Sequence, residues 1–431
     1  MFNYALGTTL SQSIEYPKKV NRKICLTIGI VFNIVLLGCF KYANFIESNI
    51  NSFVKLNFEL PAIILPLAIS FFTFQQIAYL VDSYKGETSE YDLLNYMLFV
   101  TFFPQLIAGP IVHHKEMMSQ FNSKWNLLPR QKNIIIGLFL FSLGLFKKVA
   151  IADTFSIWAD QGFSESYGLS FYDSWVTSLS YTFQLYFDFS GYCDMAMGIA
   201  LLFNIKLPLN FNSPYKSLDI QDFWRRWHIT LGRFLRDYIY IPLGGSRTSE
   251  FGIYKNLFVT FLIGGIWHGA SWMFVIWGAL HGIALVVHRA WKSLGGNLPR
   301  PVAWILTFLF VHLAWVFFRA ENMTVALNIL KAMFNVNNLQ VDLLDIKTEK
   351  LAWLGSNVEW LSQLLPNGVV ANIVPLLLVC GAFFIISKDN AVQLSFQVLT
   401  KTKVCLAAVL FSFSVYLMIS SSSSVFLYFN F

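Results

Sequence analysis

One histidine, His268, stands out as a side chain that could do chemistry. It lies in a strongly apolar stretch between Gly265 and Gly269, which have the spacing of a GxxxG pair. Such a pair lets a second helix approach closely. A neutral imidazole can accept a proton from an alcohol at neutral pH, so His268 is a candidate general base. Its position alone leaves the alternative of a structural histidine hydrogen-bonded between two helices.

Two further histidines occur in apolar surroundings. His281 lies inside a second GxxxG pair, Gly278 and Gly282, in the same apolar stretch as His268. Their separation turns a regular helix by about 220°, so we expect a structural role for His281. His312 belongs to the next apolar run, where it either faces His268 across a helix pair or bonds a carbonyl group. We predict that His268 and His312 share one polar passage and that His281 lies outside it.

The segment Asn210–Arg247 is aromatic and basic, with six Lys or Arg against three Asp. The helical spacing of its apolar side chains predicts an interfacial helix, and its basic excess places it on the cytoplasmic side. We expect Arg225, Arg226 and His228 to contribute to a substrate site in which the arginines bind the phosphates of a nucleotide-bearing donor. An anchor to anionic lipids would explain the same composition.

Other charged residues in apolar runs give weaker indications. Asp188 and Asp194 either pair with buried arginines or line a polar path. His113 and His114 are adjacent but lack further ligands at metal spacing, so we predict no metal site. The sequence contains no GxSxG, GxxxxGK[ST] or HExxH motif, and soluble-enzyme signatures are therefore missing.

The composition identifies the environment in which these residues must be positioned. Of 431 residues, 56% are apolar and 13% are charged, whereas soluble domains have roughly 45–50% and about 25%. This balance excludes an ordinary soluble enzyme, and 17% aromatic residues exclude a disordered chain. The net charge of +7 fits cytoplasmic loops of a membrane protein, so we expect contact with membrane lipid and none with nucleic acid.

Uncharged runs predict an all-α, polytopic membrane protein with about nine to eleven transmembrane helices and additional re-entrant or interfacial helices. We expect one domain covering residues 1–431. The candidate runs are Ile24–Phe40, Leu60–Val81, Leu93–Val112, Asn133–Phe146 with an extension to Ala152, Ser174–Phe187 with Met195–Ile205, Asn256–Val287, Pro301–Phe318, Asn367–Ser387 and Val404–Phe431. The run Asn256–Val287 is too long for one upright helix, which predicts a broken helix or two short ones.

The basic residues also predict a topology. The cluster Lys18–Lys23 places the N-terminus in the cytoplasm, but simple alternation would then put the basic loop His113–Lys132 outside. One intervening segment is therefore expected not to cross. Phe103–Pro110, with two prolines and a glycine, is the expected re-entrant element.

At these residues the chain resembles the membrane-bound O-acyltransferases of the alginate O-acetyltransferase group. The resemblance extends in order along nearly the whole chain. It is carried by Phe40–Phe45, Phe103–Pro110, Gln184–Tyr192, Asp222–His228 through Tyr240–Gly245, Gly264–Gly282, Phe317–Asn322 and Tyr428–Phe431.

The resemblance implies an O-acyltransferase in the bacterial inner membrane. The acyl group would come from a cytoplasmic thioester, expected to be acetyl-CoA acting as substrate with no bound cofactor. It would pass to an extracytoplasmic partner protein and then to a polysaccharide or cell-wall hydroxyl. The family's catalytic histidine, in a Trp-His-Gly motif, falls on His268. We expect Trp267, Gly269 and Trp272 to shape the pocket, with His312 as a second catalytic residue.

Two departures from the group qualify this interpretation. Its members usually have further apolar segments ahead of the Phe40–Phe45 stretch, so we expect this chain to be shortened at its N-terminus. His312 is not general in the alginate branch, although a histidine in the corresponding span is usual in other branches. The alternative from another class is a multi-pass transporter or flippase without covalent chemistry, because intramembrane histidines, aspartates and broken helices also occur there.

Overall fold

The computed structural model of the chain describes residues 1–15, 21–55, 58–61, 63–88, 92–107, 109–339, 367–420 and 426–427. These residues form helices and connecting segments without any β-strand, which confirms the all-α prediction. The ending Tyr428–Phe431, one of the stretches that carry the resemblance, lies outside the described residues. The α-helices are α1 (Phe2–Glu15), α2 (Arg22–Leu37), α3 (Ala43–Val54), α4 (Ile69–Lys85), α5 (Leu93–Thr101), α6 (Phe103–Leu106), α7 (His114–Phe121), α8 (Gln131–Phe146), α9 (Asp153–Ser164), α10 (Phe171–Leu202), α11 (Ile220–Arg226), α12 (Ile229–Leu235), α13 (Glu250–His268), α14 (Trp272–Ser293), α15 (Arg300–Arg319), α16 (Met323–Phe334), α17 (Asn367–Ser387), α18 (Ala391–Phe396) and α19 (Lys401–Ser420). Within the described ranges, π-helical turns at Gly38–Tyr42 and Lys147–Ala152 connect α2 to α3 and α8 to α9, and a third, Arg236–Tyr240, follows α12.

Several helical segments are long and apolar enough to cross a membrane, which confirms a polytopic membrane protein. Among the described residues there are five such candidates: Arg22–Val54, Gln131–Ser164, Trp272–Ser293, Arg300–Arg319 and Lys401–Ser420. Other runs that we interpreted as single spans are divided. For example, α5 ends at Thr101 and Phe102 is extended before the short α6. The figure of nine to eleven spans remains a prediction.

The long helix α10 forms the centre of the fold and packs against α8, α9, α15 and α16. Glycines bring α8 and α10 into backbone contact. A Cβ added to Gly137 would lie 2.6 Å from the Gly198 carbonyl oxygen, and one added to Gly144 would lie 2.6 Å from that of Gly191. Small residues at helix crossings in membranes permit this close approach.

The two aspartates in the apolar run of α10 are paired, but with lysines rather than the arginines that we expected. Lys147 lies 2.6 Å from Asp194, and Lys148 lies 2.6 Å from Asp188. Lys148 also lies 2.7 Å from Asp153. The lysines belong to the π-helical turn Lys147–Ala152, which was not visible in the hydropathy pattern. Buried charges are tolerated when paired in this way.

Candidate active site

His268 is the last residue of α13, at a break in the apolar run Asn256–Val287. The chain is extended at Gly269, and α14 begins at Trp272 with the Ser271 side chain as its N-cap. The predicted broken helix is therefore present. The His268 side chain is buried, and its ring lies 5.0 Å from that of Trp277 and 5.1 Å from that of Phe318, measured between centroids.

Glycines fix how α13 and α14 cross next to this break. A Cβ added to Gly265 would lie 2.4 Å from the Phe274 carbonyl oxygen and 2.8 Å from the Gly278 Cα. A Cβ at Gly282 would lie 3.1 Å from the Phe258 Cα. Close helix contact is therefore present at Gly278 and Gly282, whereas of the first GxxxG pair only Gly265 belongs to a helix. Gly269 has a separate role, because a Cβ there would lie 2.1 Å from the Phe274 ring.

A small cavity of about 120 Å³ lies beside His268. Its walls combine apolar side chains with the ammonium group of Lys41 and the hydroxyl of Ser70. The lining residues are Lys41, Leu65, Pro66, Leu67, Ala68, Ile69, Ser70, Phe71, Ile107, Trp267 and His268. The cavity therefore connects the candidate base to the start of α4 and to the broken segment after α6.

A larger groove of about 630 Å³ lies along α13 and α14 away from the break, and we call it the basic groove. Its lining includes five Lys or Arg side chains and no Asp or Glu. The lining residues are Gln221, Trp224, Arg225, Ile229, Gly232, Arg233, Leu235, Arg236, Tyr240, Ser246, Leu257, Thr260, Phe261, Leu285, His288, Arg289 and Lys292. Three of the five basic side chains pair with carboxylates outside the lining, namely Arg233 with Glu116, Arg236 with Asp237 and Arg289 with Glu250. The other two, Arg225 and Lys292, have no carboxylate partner among the described residues and suit an anionic ligand.

The residues predicted for the substrate site were Arg225, Arg226 and His228. Among the described residues that line the basic groove, only Arg225 is one of these three. Arg226 instead pairs with Asp222, with its Nε 2.9 and 3.0 Å from the two carboxylate oxygens. It thereby forms the i,i+4 pair that the sequence spacing allows. Arg226 therefore lies next to the groove and stabilises α11 through this ion pair.

His228 lies inside the protein, which differs from its predicted position in the substrate site. The helical stripe suggested one continuous helix, but α11 ends at Arg226 and His228 has a left-handed backbone with φ of 43°. This kink turns its ring into the core, where Nδ1 lies 3.1 Å from Asn210 Oδ1. Burial lowers the pKa of His228 to about 3, so the ring is neutral at physiological pH.

A row of aromatic side chains connects the basic groove to His268. Trp224, in the groove wall, donates from Nε1 to His281 Nδ1 over 3.2 Å. Trp277 lies between the two histidines, with ring centroids 4.8 Å from His281 and 5.0 Å from His268. His281 belongs to the lining of neither the small cavity nor the basic groove, so its position outside the site stays a prediction, although the regular helix from which it was argued is broken at Gly269.

His312 lies in a different part of the core, so the predicted passage shared with His268 was wrong. Its Nδ1 lies 2.8 Å from Thr182 Oγ1 and its Nε2 lies 3.2 Å from Ser178 Oγ, both on α10. The residue of α15 that contacts His268 is Phe318. Phe318 is about 9 Å further along that helix than His312.

Of the two tryptophans predicted to shape the pocket, Trp267 lies in the cavity wall and Trp272 lies at the surface. Trp267 lines the small cavity and stacks on Phe74, with ring centroids 4.6 Å apart. Trp272, which we expected to shape the pocket, is 58% exposed and donates from Nε1 to Asn49 Oδ1. It begins α14 beyond the break and therefore faces outward.

Lys41 is a site residue that the sequence analysis missed. It lies in the Phe40–Phe45 stretch, directly after the apolar run Ile24–Phe40, and it lines the small cavity with His268. A single lysine at the end of an apolar run was the available signal, because charged groups in membrane segments are costly. Among the described residues no group of three or more His, Cys, Asp or Glu side chains could hold a metal ion.

Comparison with known proteins identifies the family. The family model for membrane-bound O-acyltransferases matches residues 26–325. The chain belongs to this family. It is 48% identical to a peptidoglycan O-acetyltransferase of Helicobacter pylori, an alignment that covers all of this chain and 86% of the relative. It is 44% identical to a probable alginate O-acetylase of Pseudomonas aeruginosa over 79% of this chain and 66% of the relative. It is 26% identical to a teichoic acid D-alanyltransferase of Bacillus subtilis over 59% of this chain and 69% of the relative.

Membership of the membrane-bound O-acyltransferase family decides between the two classes of function that the residues allowed. The chain is an O-acyltransferase, and the transporter alternative was wrong. The recognised resemblance to the alginate O-acetyltransferase group is confirmed as well.

Proposed function

We propose that this membrane-bound O-acyltransferase moves an acetyl group from a cytoplasmic thioester across the membrane toward a hydroxyl of an extracytoplasmic polysaccharide, with His268 as general base. The observation that carries the proposal is the position of His268. It lines the small cavity at a helix break and is connected, through Trp277 and His281, to the basic groove. In this proposal the acceptor approaches the imidazole from the small cavity and the donor from the side of the groove, where the buried rings of Trp277 and His281 lie between groove and His268.

The basic groove is the proposed site of the donor. Acetyl-CoA has a nucleotide end with several phosphates and an acetyl thioester at the end of a long, flexible arm. Arg225 provides a guanidinium group of the kind that binds phosphates with paired hydrogen bonds, and Lys292 adds a second positive charge. Trp224 and Phe261 form the apolar part of the wall, where an arm could pass toward His268.

In the proposed reaction, His268 removes the proton of the acceptor hydroxyl as its oxygen attacks the thioester carbonyl. The carbon–sulfur bond then breaks, and the released thiol carries a proton away, which leaves an acetyl ester on the acceptor. A general base contributes typically 10²–10⁴-fold to the rate. The buried surroundings of His268 would supply the positioning that the remaining acceleration requires.

Peptidoglycan is the proposed final acceptor. The full-length similarity to a peptidoglycan O-acetyltransferase supports this choice over alginate, for which the similarity covers 79% of the chain. Because the site is inside a membrane protein and the polymer is outside, we propose an extracytoplasmic partner protein that carries the acetyl group onward. The corresponding location is the bacterial inner membrane.

The proposal is tested by replacing the chromosomal copy with a His268→Ala variant in the native host. We expect acetyl esters on muropeptides to disappear in mass spectra, while the variant is present in membranes at the wild-type level. In parallel, purified wild-type protein in lipid vesicles should release free thiol from acetyl-CoA when an acceptor is added, and the variant should not. Full acetylation by the variant would overturn the role of His268.

A further inference from the structure

The carbonyl groups at the end of α13 are bound by side chains of the Phe40–Phe45 stretch. Lys41 Nζ donates to the carbonyl oxygens of Trp267 and His268, over 2.8 and 2.9 Å. The hydroxyl of Tyr42 donates to the carbonyl oxygen of Ile266. A helix leaves its last four carbonyl groups without partners in the helix, and such groups are costly in an apolar environment. Three consecutive carbonyls are thus satisfied by one distant segment.

The Lys41 ammonium is fully engaged in this arrangement. Its third contact is to Ser70 Oγ, over 3.2 Å. An ammonium group has three donors, so every one of them has an acceptor within the protein. A positive charge is also favourable at the C-terminal end of a helix, where the helix dipole is negative. Lys41 is therefore suited to hold the end of α13 in place.

We propose that Lys41 is a positioning residue that holds the His268 ring at the small cavity by fixing the last carbonyls of α13. This inference rests on the proposed function of His268. The helix does not continue beyond His268, because Gly269 is extended. Without Lys41, the carbonyls of Trp267 and His268 would lose their hydrogen bonds to the π-helical turn Gly38–Tyr42, and the link through Nζ to Ser70 at the start of α4 would be lost. A displacement of about 1 Å at a reacting group can cost on the order of 10²-fold in rate.

The kinetic test compares three lysine variants in vesicles. Lys41→Met should lower kcat by about 10- to 100-fold and leave KM for acetyl-CoA unchanged, because Lys41 does not line the basic groove. Lys41→Arg should restore part of the rate, since a guanidinium group also donates to carbonyl oxygens. Lys55→Met is the matched control, because Lys55 is an exposed residue directly after α3, and it should behave as wild type.

Hydrogen exchange of the amides in residues 266–273 provides a readout that does not need activity. Lys41→Met should accelerate exchange there, and Lys55→Met should not. Unchanged exchange together with unchanged kcat would overturn the inference. The inference would also be overturned if the rate of Lys41→Met fell only in proportion to the amount of folded protein and Lys41→Arg restored none of it.

A milder variant covers the case in which Lys41→Met does not fold. Tyr42→Phe removes the bond to Ile266 and leaves the charge, so it should lower kcat several-fold and accelerate exchange in the same residues. Wild-type kinetics and exchange in this variant would overturn the inference. If the wild-type protein transfers no acetyl group, the proposed function fails, and the exchange measurement still decides whether Lys41 fixes the end of α13.

Discussion

At the scale of single residues, the contacts of three buried histidines suggest three different roles. His268 lies at a cavity, His281 accepts a hydrogen bond from a groove residue, and His312 has hydrogen-bond partners for both ring nitrogens. A histidine with both nitrogens engaged on one neighbouring helix is typical of a structural residue. These hydrogen bonds therefore favour a structural role for His312 over the catalytic role that the sequence also allowed.

We predict that His312→Phe lowers stability and leaves the rate per folded molecule almost unchanged. The substitution keeps a ring between Trp175 and Phe308 but removes the ring nitrogens that contact Ser178 and Thr182. Both hydroxyls keep a hydrogen bond to a backbone carbonyl of α10, so each lost bond to the ring costs about 0.5–1.5 kcal/mol. Thermal unfolding in detergent and kcat normalised to monodisperse protein measure the two effects. A large fall in normalised kcat with unchanged stability would instead support the catalytic assignment of His312.

At the scale of elements, the sequence predicted a break in the helix within Asn256–Val287 because these 32 residues lack Asp, Glu, Lys and Arg. It also indicated close helix contact through glycine spacing. It did not predict where the side chains point on either side of the break, since helical periodicity assumes that the helix continues. The left-handed backbone of His228 and the π-helical turn containing Lys41 were missed for the same reason.

We predict that Gly278→Ala disturbs the crossing of α13 and α14. The added Cβ would lie 2.6 Å from the Phe261 carbonyl oxygen and 2.9 Å from the Gly265 Cα, so backbone must shift. Overpacking of this kind costs typically 1–3 kcal/mol, and the shift would move both His268 and the groove wall. Gly381→Ala on α17 is the matched control, because its Cβ meets no atom within 4 Å. Equal thermal stability and activity of the two variants would contradict this account of the crossing.

At the scale of the whole molecule, α13 connects the two cavities. Leu257, Thr260 and Phe261 line the basic groove, and His268 lies at the other end of the helix. From Leu257 to His268 the helix rises about 17 Å, which is more than half of the hydrocarbon thickness of roughly 30 Å. A donor with its charged end in the groove would need a long arm to reach His268, as acetyl-CoA has. This geometry favours an approach of the two substrates from opposite faces of the membrane.

The last prediction therefore concerns charge and sidedness together. Arg225→Gln should raise KM for acetyl-CoA by roughly tenfold or more, the value of a lost charge-assisted hydrogen bond, and leave kcat nearly unchanged. Arg226→Gln is the control and should change KM little, because Arg226 is already paired with Asp222. The KM of the wild-type protein should also rise with ionic strength, because salt screens exposed charges. The KM of Arg225→Gln should rise less steeply. In vesicles of defined orientation, donor added at the face of Asn210–Arg247 should be used and donor added at the opposite face should not. If both arginine variants keep the wild-type KM, the basic segment is better explained as an anchor to anionic lipids.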